Sequence, residues 1–317
     1  MPAGALPLTQ LHLPARWEVW LDFAPVKALL PLPVLLLVLP AVAWFFRDTW
    51  KELDKEAASH RAAMVEQGVT DRRALHCLLI VAVSLTIKDY FGGRPFYEEI
   101  LRPFLASRQQ AGWHFLHLEQ FDELFGYGWW VFSRVFGYVL LPFPLWKLLH
   151  PRDSLLDFGL RTKGFLSHAW IYGLCTAVVV PLMLVVANQP DFGSYYPFYK
   201  QCSRSGLDLL LWESIYIIQF FALELFFRGF VVGALRPSFG SSAIIAMAVP
   251  YCMIHYGKPY LEAMGAIIAG IVLGSLAART RSIYAGFLVH VTIALGMDLL
   301  ALSHRHELPV HFWPALR

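Results

Sequence analysis

Apolar runs alternate with polar stretches along this chain, at roughly 27–46, 75–91, 129–149, 167–187, 207–235, 242–255, 260–278 and 283–302. A helix needs about 20 residues to cross about 30 Å of hydrocarbon. Most of these runs have that length, so the pattern predicts an all-α, polytopic membrane bundle of about eight transmembrane helices. Run 207–235 is too long for a simple span, and its end carrying Arg228 and Gly229 is expected to tilt or to extend past the bilayer. Run 242–255 is short and holds Pro250, as in a helix that is broken or sunk in the protein interior.

The polar stretches are of three kinds. Residues 47–74 are charged and helix-favouring, as in Trp50-Lys-Glu-Leu-Asp-Lys-Glu-Ala57, and predict a cytoplasmic amphipathic helix or hairpin. Residues 93–128 mix Pro, Trp, Phe and charge, as an interfacial or re-entrant segment does. Residues 188–206 read as a loop. No internal repeat is visible. Polar content changes near residue 150, which divides the chain into a variable membrane region with interfacial segments (1–150), a compact helical core (151–303) and a polar tail (304–317). The first 26 residues lack a basic run, and the first apolar run leads straight into charge, so it is expected to be retained rather than cleaved.

Composition agrees. Of 317 residues 57% are hydrophobic and 15% charged, against about 25% charged in soluble domains. A net charge of +3 implies no nucleic-acid partner; the lipid bilayer is the partner. A small excess of Lys and Arg assigns 47–74, 147–163 and the loops holding Arg236, Arg279 and Arg281 to the cytoplasm. The expected location is the bacterial cytoplasmic membrane. The four cysteines are scattered without a CxxC, which implies neither a disulfide nor a zinc knuckle.

Chemistry enters where charge interrupts the apolar runs. Glu224 and Arg228 lie in Gln219-Phe-Phe-Ala-Leu-Glu-Leu-Phe-Phe-Arg-Gly-Phe230. A charge at membrane depth costs at least about 2.5–3.5 kcal/mol. At a spacing of four the two share one helix face, either as a self-neutralising ion pair or as part of a site. Glu213 is three turns away, about 16 Å, too far to act with Glu224 on one atom. His255 closes Tyr251-Cys-Met-Ile-His255, either as a helix-end histidine bonded to a carbonyl or as a site residue. His290 sits deep in Ile283-Tyr-Ala-Gly-Phe-Leu-Val-His290. Asp298 reads as a helix partner or an interfacial residue sooner than as part of a site, Gly270-x-x-x-Gly274 as a close-packing stripe, and His304, His306 and His311 as exposed. Amide hydrolysis needs a base to activate water and polar groups for the oxyanion and leaving amine. A glutamate and two histidines from three helices supply these; they also supply three ligands of a zinc ion with one open position. No HExxH is present, which excludes an ordinary zincin.

At these residues the chain resembles the CAAX protease and bacteriocin-processing family of intramembrane endopeptidases, to which Ras-converting enzyme belongs. That pattern is Glu-Glu-x-x-x-Arg, then aromatic-x-x-x-His, then His-x-x-x-Asn or Asp, on successive helices. Glu224-Leu-Phe-Phe-Arg228 matches the second glutamate and the arginine, Tyr251-x-x-x-His255 the second motif with Tyr for the commoner Phe, and His290 the third. The resemblance spans about 155–302 and implies cleavage of a membrane-attached peptide or protein. It implies that Glu224 activates water or orients the group that does, that Arg228 holds Glu224 ionised, and that His255 and His290 stabilise the oxyanion or bind a metal such as zinc. Members have been described both as metalloproteases and as glutamate proteases. Leu223 stands at the first glutamate and Ala294 at the final Asn or Asp. These departures keep open a catalytically silent member acting as a membrane binding or immunity protein. A transporter or channel using the buried polar cluster is the third reading, weakened by the lack of paired repeats with broken helices.

Overall fold

From Pro31 to Glu66 the chain has no glycine, and its polar half is rich in Ala, Glu and Lys, which favour helix. Pro40 removes one intrahelical hydrogen bond yet leaves the helix continuous, and the apolar run and its charged extension form one 36-residue helix, α1 (Pro31–Glu66). At 1.5 Å per residue it is about 54 Å long. The expected separate amphipathic helix or hairpin is therefore the continuation of the first span. Gly68, with φ of 63°, takes the chain away from it.

The computed structural model describes residues 28–29, 31–162, 169–188, 192–258 and 260–314, and no strand occurs among them. After α1 come α2 (Arg73–Phe91), a helical stretch over 94–110, α3 (Leu118–Val135), α4 (Pro142–Leu149), α5 (Ala169–Ala187), α6 (Gly206–Glu224), α7 (Val232–Phe239), α8 (Ser242–Met253), α9 (Tyr260–Thr280) and α10 (Tyr284–His304). The π-helical segment Leu225–Val231 joins α6 to α7 without a break. Every expected apolar run is thus helical in its described part. Among the described residues five helices have the length and composition to cross a membrane: α1, α2, the joined α6–α7, α9 and α10. Ala169–Pro181 and α8 are shorter apolar stretches. Run 129–149 is divided between α3, a π turn and α4. Five of the eight expected runs thus meet the length and composition of a span among the described residues.

The joined helix Gly206–Phe239 is the axis of the bundle. Of its most apolar window 72% is buried, against 44% or less for the other four long apolar helices. Helices α8 and α9 pack closely, as do α5 and α10, and α6 runs beside α3 and α10. Small residues permit the α8–α9 approach: a Cβ on Gly274 would strike Met247, and one on Gly270 would press on Tyr251 and Ala248. The glycine stripe is therefore a packing device. Pro250 leaves α8 helical up to Met253.

The stretches assigned to one side by their basic residues meet one another. Arg73 holds Asp153 through both terminal nitrogens, at 3.2 and 2.6 Å. Arg281 holds Glu56 at 2.7 Å, Arg61 donates to the Ser238 carbonyl at 2.8 Å, and the Ser241 amide donates to Asp54 at 2.8 Å. The charged half of α1 is thus strapped across the ends of α7 and α9. The tail turns back: His311 and Phe312 carbonyls accept from the Gly206 and Leu207 amides, each at 2.8 Å. This satisfies first-turn donors of α6 that have no partner within the helix. His304, His306 and His311 are exposed.

Candidate active site

Glu224 is the last residue of α6, and the π segment begins at its neighbour. π turns recur at functional sites because the extra residue re-aims the side chains around it. The Glu224 and Arg228 side chains have no exposed surface, and Arg228 Nη1 lies 3.1 Å from Glu224 Oε1. The Arg228 guanidinium also lies over the Tyr251 ring, 3.9 Å from its centre. A buried cation without a partner is costly, and here a carboxylate and an aromatic face share the task.

Helix α10 brings the third group. His290 Nδ1 is 2.8 Å from Glu224 Oε1, with 13% of the His290 side chain exposed. Both contacts to Glu224 are close in distance, although neither N–H points in line at the oxygen. On its other edge His290 Nε2 is 3.2 Å from the Tyr251 hydroxyl. The Phe220 ring stacks on the imidazole with centroids 5.3 Å apart and planes 12° from parallel. A carboxylate only accepts hydrogen bonds, so a proton on Nδ1 suits the Glu224 edge, while the Tyr251 hydroxyl is able to donate to Nε2 or to accept from it.

His255 lies in the turn after α8 and is half-buried. Its Nδ1 donates to the Tyr251 carbonyl at 2.8 Å, and its ring meets the Tyr251 ring edge-on at 4.8 Å. The helix-end bond of the plainer reading is therefore present, and it leaves Nε2 with a free lone pair. Glu224, Arg228 and His290 meet directly; His255 reaches them through Tyr251.

One position escaped the sequence reading, and a second was read only as the aromatic of a motif. Gly286, one turn before His290 on α10, lies against the Glu224 carboxylate so closely that a Cβ there would collide with Oε2. Tyr251 touches three of the four candidate residues, Arg228, His255 and His290. Gly286 had only its spacing, four residues ahead of a candidate histidine, as a signal; Tyr251 was marked by its motif, but nothing marked a role for its hydroxyl.

Among the described residues, no three His, Cys, Asp or Glu side chains converge to hold a metal ion. The Glu224 carboxylate lies against Arg228 and His290, and no third ligand stands beside His255 and His290 among the described residues, so the arrangement does not present a three-ligand zinc centre. The other buried acids lie apart. Asp298 accepts the Trp212 indole N–H at 2.7 Å, as a helix partner does. Glu213 is buried with both carboxyl oxygens lacking a hydrogen-bond partner. Leu223 is 6% exposed in the main apolar cluster, and Ala294 is packed with Trp212 and Tyr216.

Residues 205–296 match the family described as type II CAAX prenyl endopeptidase Rce1-like. This interval holds all four candidate residues. No curated protein and no solved structure matches the chain.

Proposed function

We propose that this membrane protein is an endopeptidase of the CAAX type, cutting a membrane-attached peptide or protein at the Glu224–Arg228–His255–His290 cluster; the match of residues 205–296 to the Rce1-like family supports this reading. The observation that carries this reading is the 2.8 Å contact between Glu224 and His290, made by two helices inside the matched interval. Glu224 is sealed from solvent, so it acts through His290 rather than on water. Arg228 keeps its charge in place. His255 holds the uncommitted lone pair and is the base: Nε2 takes a proton as water attacks the scissile carbonyl and returns it to the leaving amine. His290, polarised by the ionised Glu224, stabilises the developing oxyanion.

A second reading is a silent member that binds such a substrate without cutting it. Leu223 and Ala294 favour it, since apolar packing fills two positions that carry polar groups in the family pattern. The test uses purified protein in liposomes with a prenylated reporter peptide. The wild type should cleave it, and Glu224→Gln and His255→Ala should each lower the rate by about 100-fold or more while folding is retained. Binding without cleavage by the wild type would establish the silent reading instead.

A further inference from the structure

We infer that Tyr251 is a positioning residue for His290: its hydroxyl donates to Nε2 and locks the imidazole in the tautomer whose Nδ1–H faces Glu224. Tyr251 is 2% exposed and fixed from several sides. Its ring lies beneath the Arg228 guanidinium at 3.9 Å and edge-on to Phe227 at 5.3 Å. Gly270 of α9 leaves room on the ring's flank, where a Cβ would stand 3.1 Å from the ring. Its carbonyl takes the Nδ1–H of His255.

The hydroxyl is therefore delivered to His290 by a side chain that has little freedom to turn. A neutral imidazole has one donor and one acceptor nitrogen, and the partner of each decides which is which. Glu224 on one edge accepts, and a hydroxyl on the other can donate. Together they select one of two tautomers and one of two ring orientations. Phe220, stacked on the ring face, restricts tilting but has no say in the proton's place. Without the hydroxyl, Nε2 has no partner, and the ring is free to place its proton there and turn a lone pair towards Glu224. Carboxylate and lone pair would then repel.

The kinetic part of this inference rests on the endopeptidase reading; the tautomer does not. Tyr251→Phe keeps the ring, and with it the Arg228 and Phe227 contacts, while removing one oxygen. The experiment records imidazole ¹⁵N spectra of full-length protein in nanodiscs, with the His290 signals identified by their loss in His290→Gln. The expected wild-type spectrum shows His290 protonated at Nδ1 and bare at Nε2. Tyr251→Phe should show a mixture of both tautomers, and its kcat should fall about 10- to 100-fold with KM within about twofold. A wild-type His290 protonated at Nε2 overturns the inference, with no variant needed. So does an unchanged tautomer or an unchanged kcat in Tyr251→Phe. If no protein cleaves the peptide, the endopeptidase reading falls, and the spectra alone decide what holds His290.

Discussion

Gly286 matters for the side chain it lacks. The α10 backbone lies against the Glu224 carboxylate, and a methyl group at this position would occupy the place of Oε2. Gly286→Ala should therefore push the carboxylate away from Arg228 and His290. A displacement of about 1 Å costs on the order of 100-fold in rate when it disturbs a reacting group. Cleavage of the reporter peptide should drop by about that factor, with the helical circular dichroism spectrum unchanged; full activity would show that Glu224 has no part in the chemistry. Such a glycine is hard to read from sequence. Glycines are common in membrane helices for packing alone, and this one stands out only once α6 is beside it. Tyr251 was legible as the aromatic of its motif, whereas the contacts of its hydroxyl were not. Glu224, Arg228, His255 and His290 were legible for the opposite reason: a polar side chain at membrane depth is expensive, so its presence is a signal without any knowledge of neighbours.

Helix positions were legible because hydrocarbon demands long apolar runs. Helix continuity was not. The π segment that sets Glu224 at a junction leaves no mark in hydropathy, since it adds a residue to the turn without changing composition. The joining of the first span to its charged extension was equally silent, because helix-favouring residues lie on both sides of the join. The close approach of α8 and α9 was written in Gly270 and Gly274. Helix α8 carries Tyr251 and leads directly to His255, so this packing also holds the site. Gly274→Val would drive its side chain into Met247 and Ile244. Overpacking of this kind costs about 1–3 kcal/mol. Thermal unfolding in detergent should show that loss, and cleavage should fall with it, because α8 cannot shift without moving both residues. A variant as stable and active as the wild type would mean that α8 and α9 do not meet there.

Across the whole molecule, the charged ends of the helices are held by their own network. Asp71 accepts from Ser238 Oγ at 2.6 Å and from the Arg73 amide at 2.9 Å; Asp153 accepts from Arg73 and from the Trp146 indole. Burial works to raise both carboxyls, but these hydrogen bonds and the nearby cations outweigh it, and both lie below the ordinary 3.8. A carboxyl lowered on folding adds stability that is present above its unfolded value and lost as pH falls through the folded one. The melting temperature should thus hold near neutrality and fall below about pH 4. Asp153→Asn should melt lower at neutral pH and lose less on acidification; equal pH curves for the two proteins would remove Asp153 from the account. The ion pair at the centre of the bundle has a different significance, for biogenesis. Glu224 and Arg228 belong to one helix, so their charges cancel when that helix coils, before any neighbour arrives. The segment can be handed to the lipid already neutralised, at less than the cost of two bare charges. His290 meets Glu224 only after α10 has docked, so the newborn chain enters the membrane with its charge settled and its chemistry still unassembled.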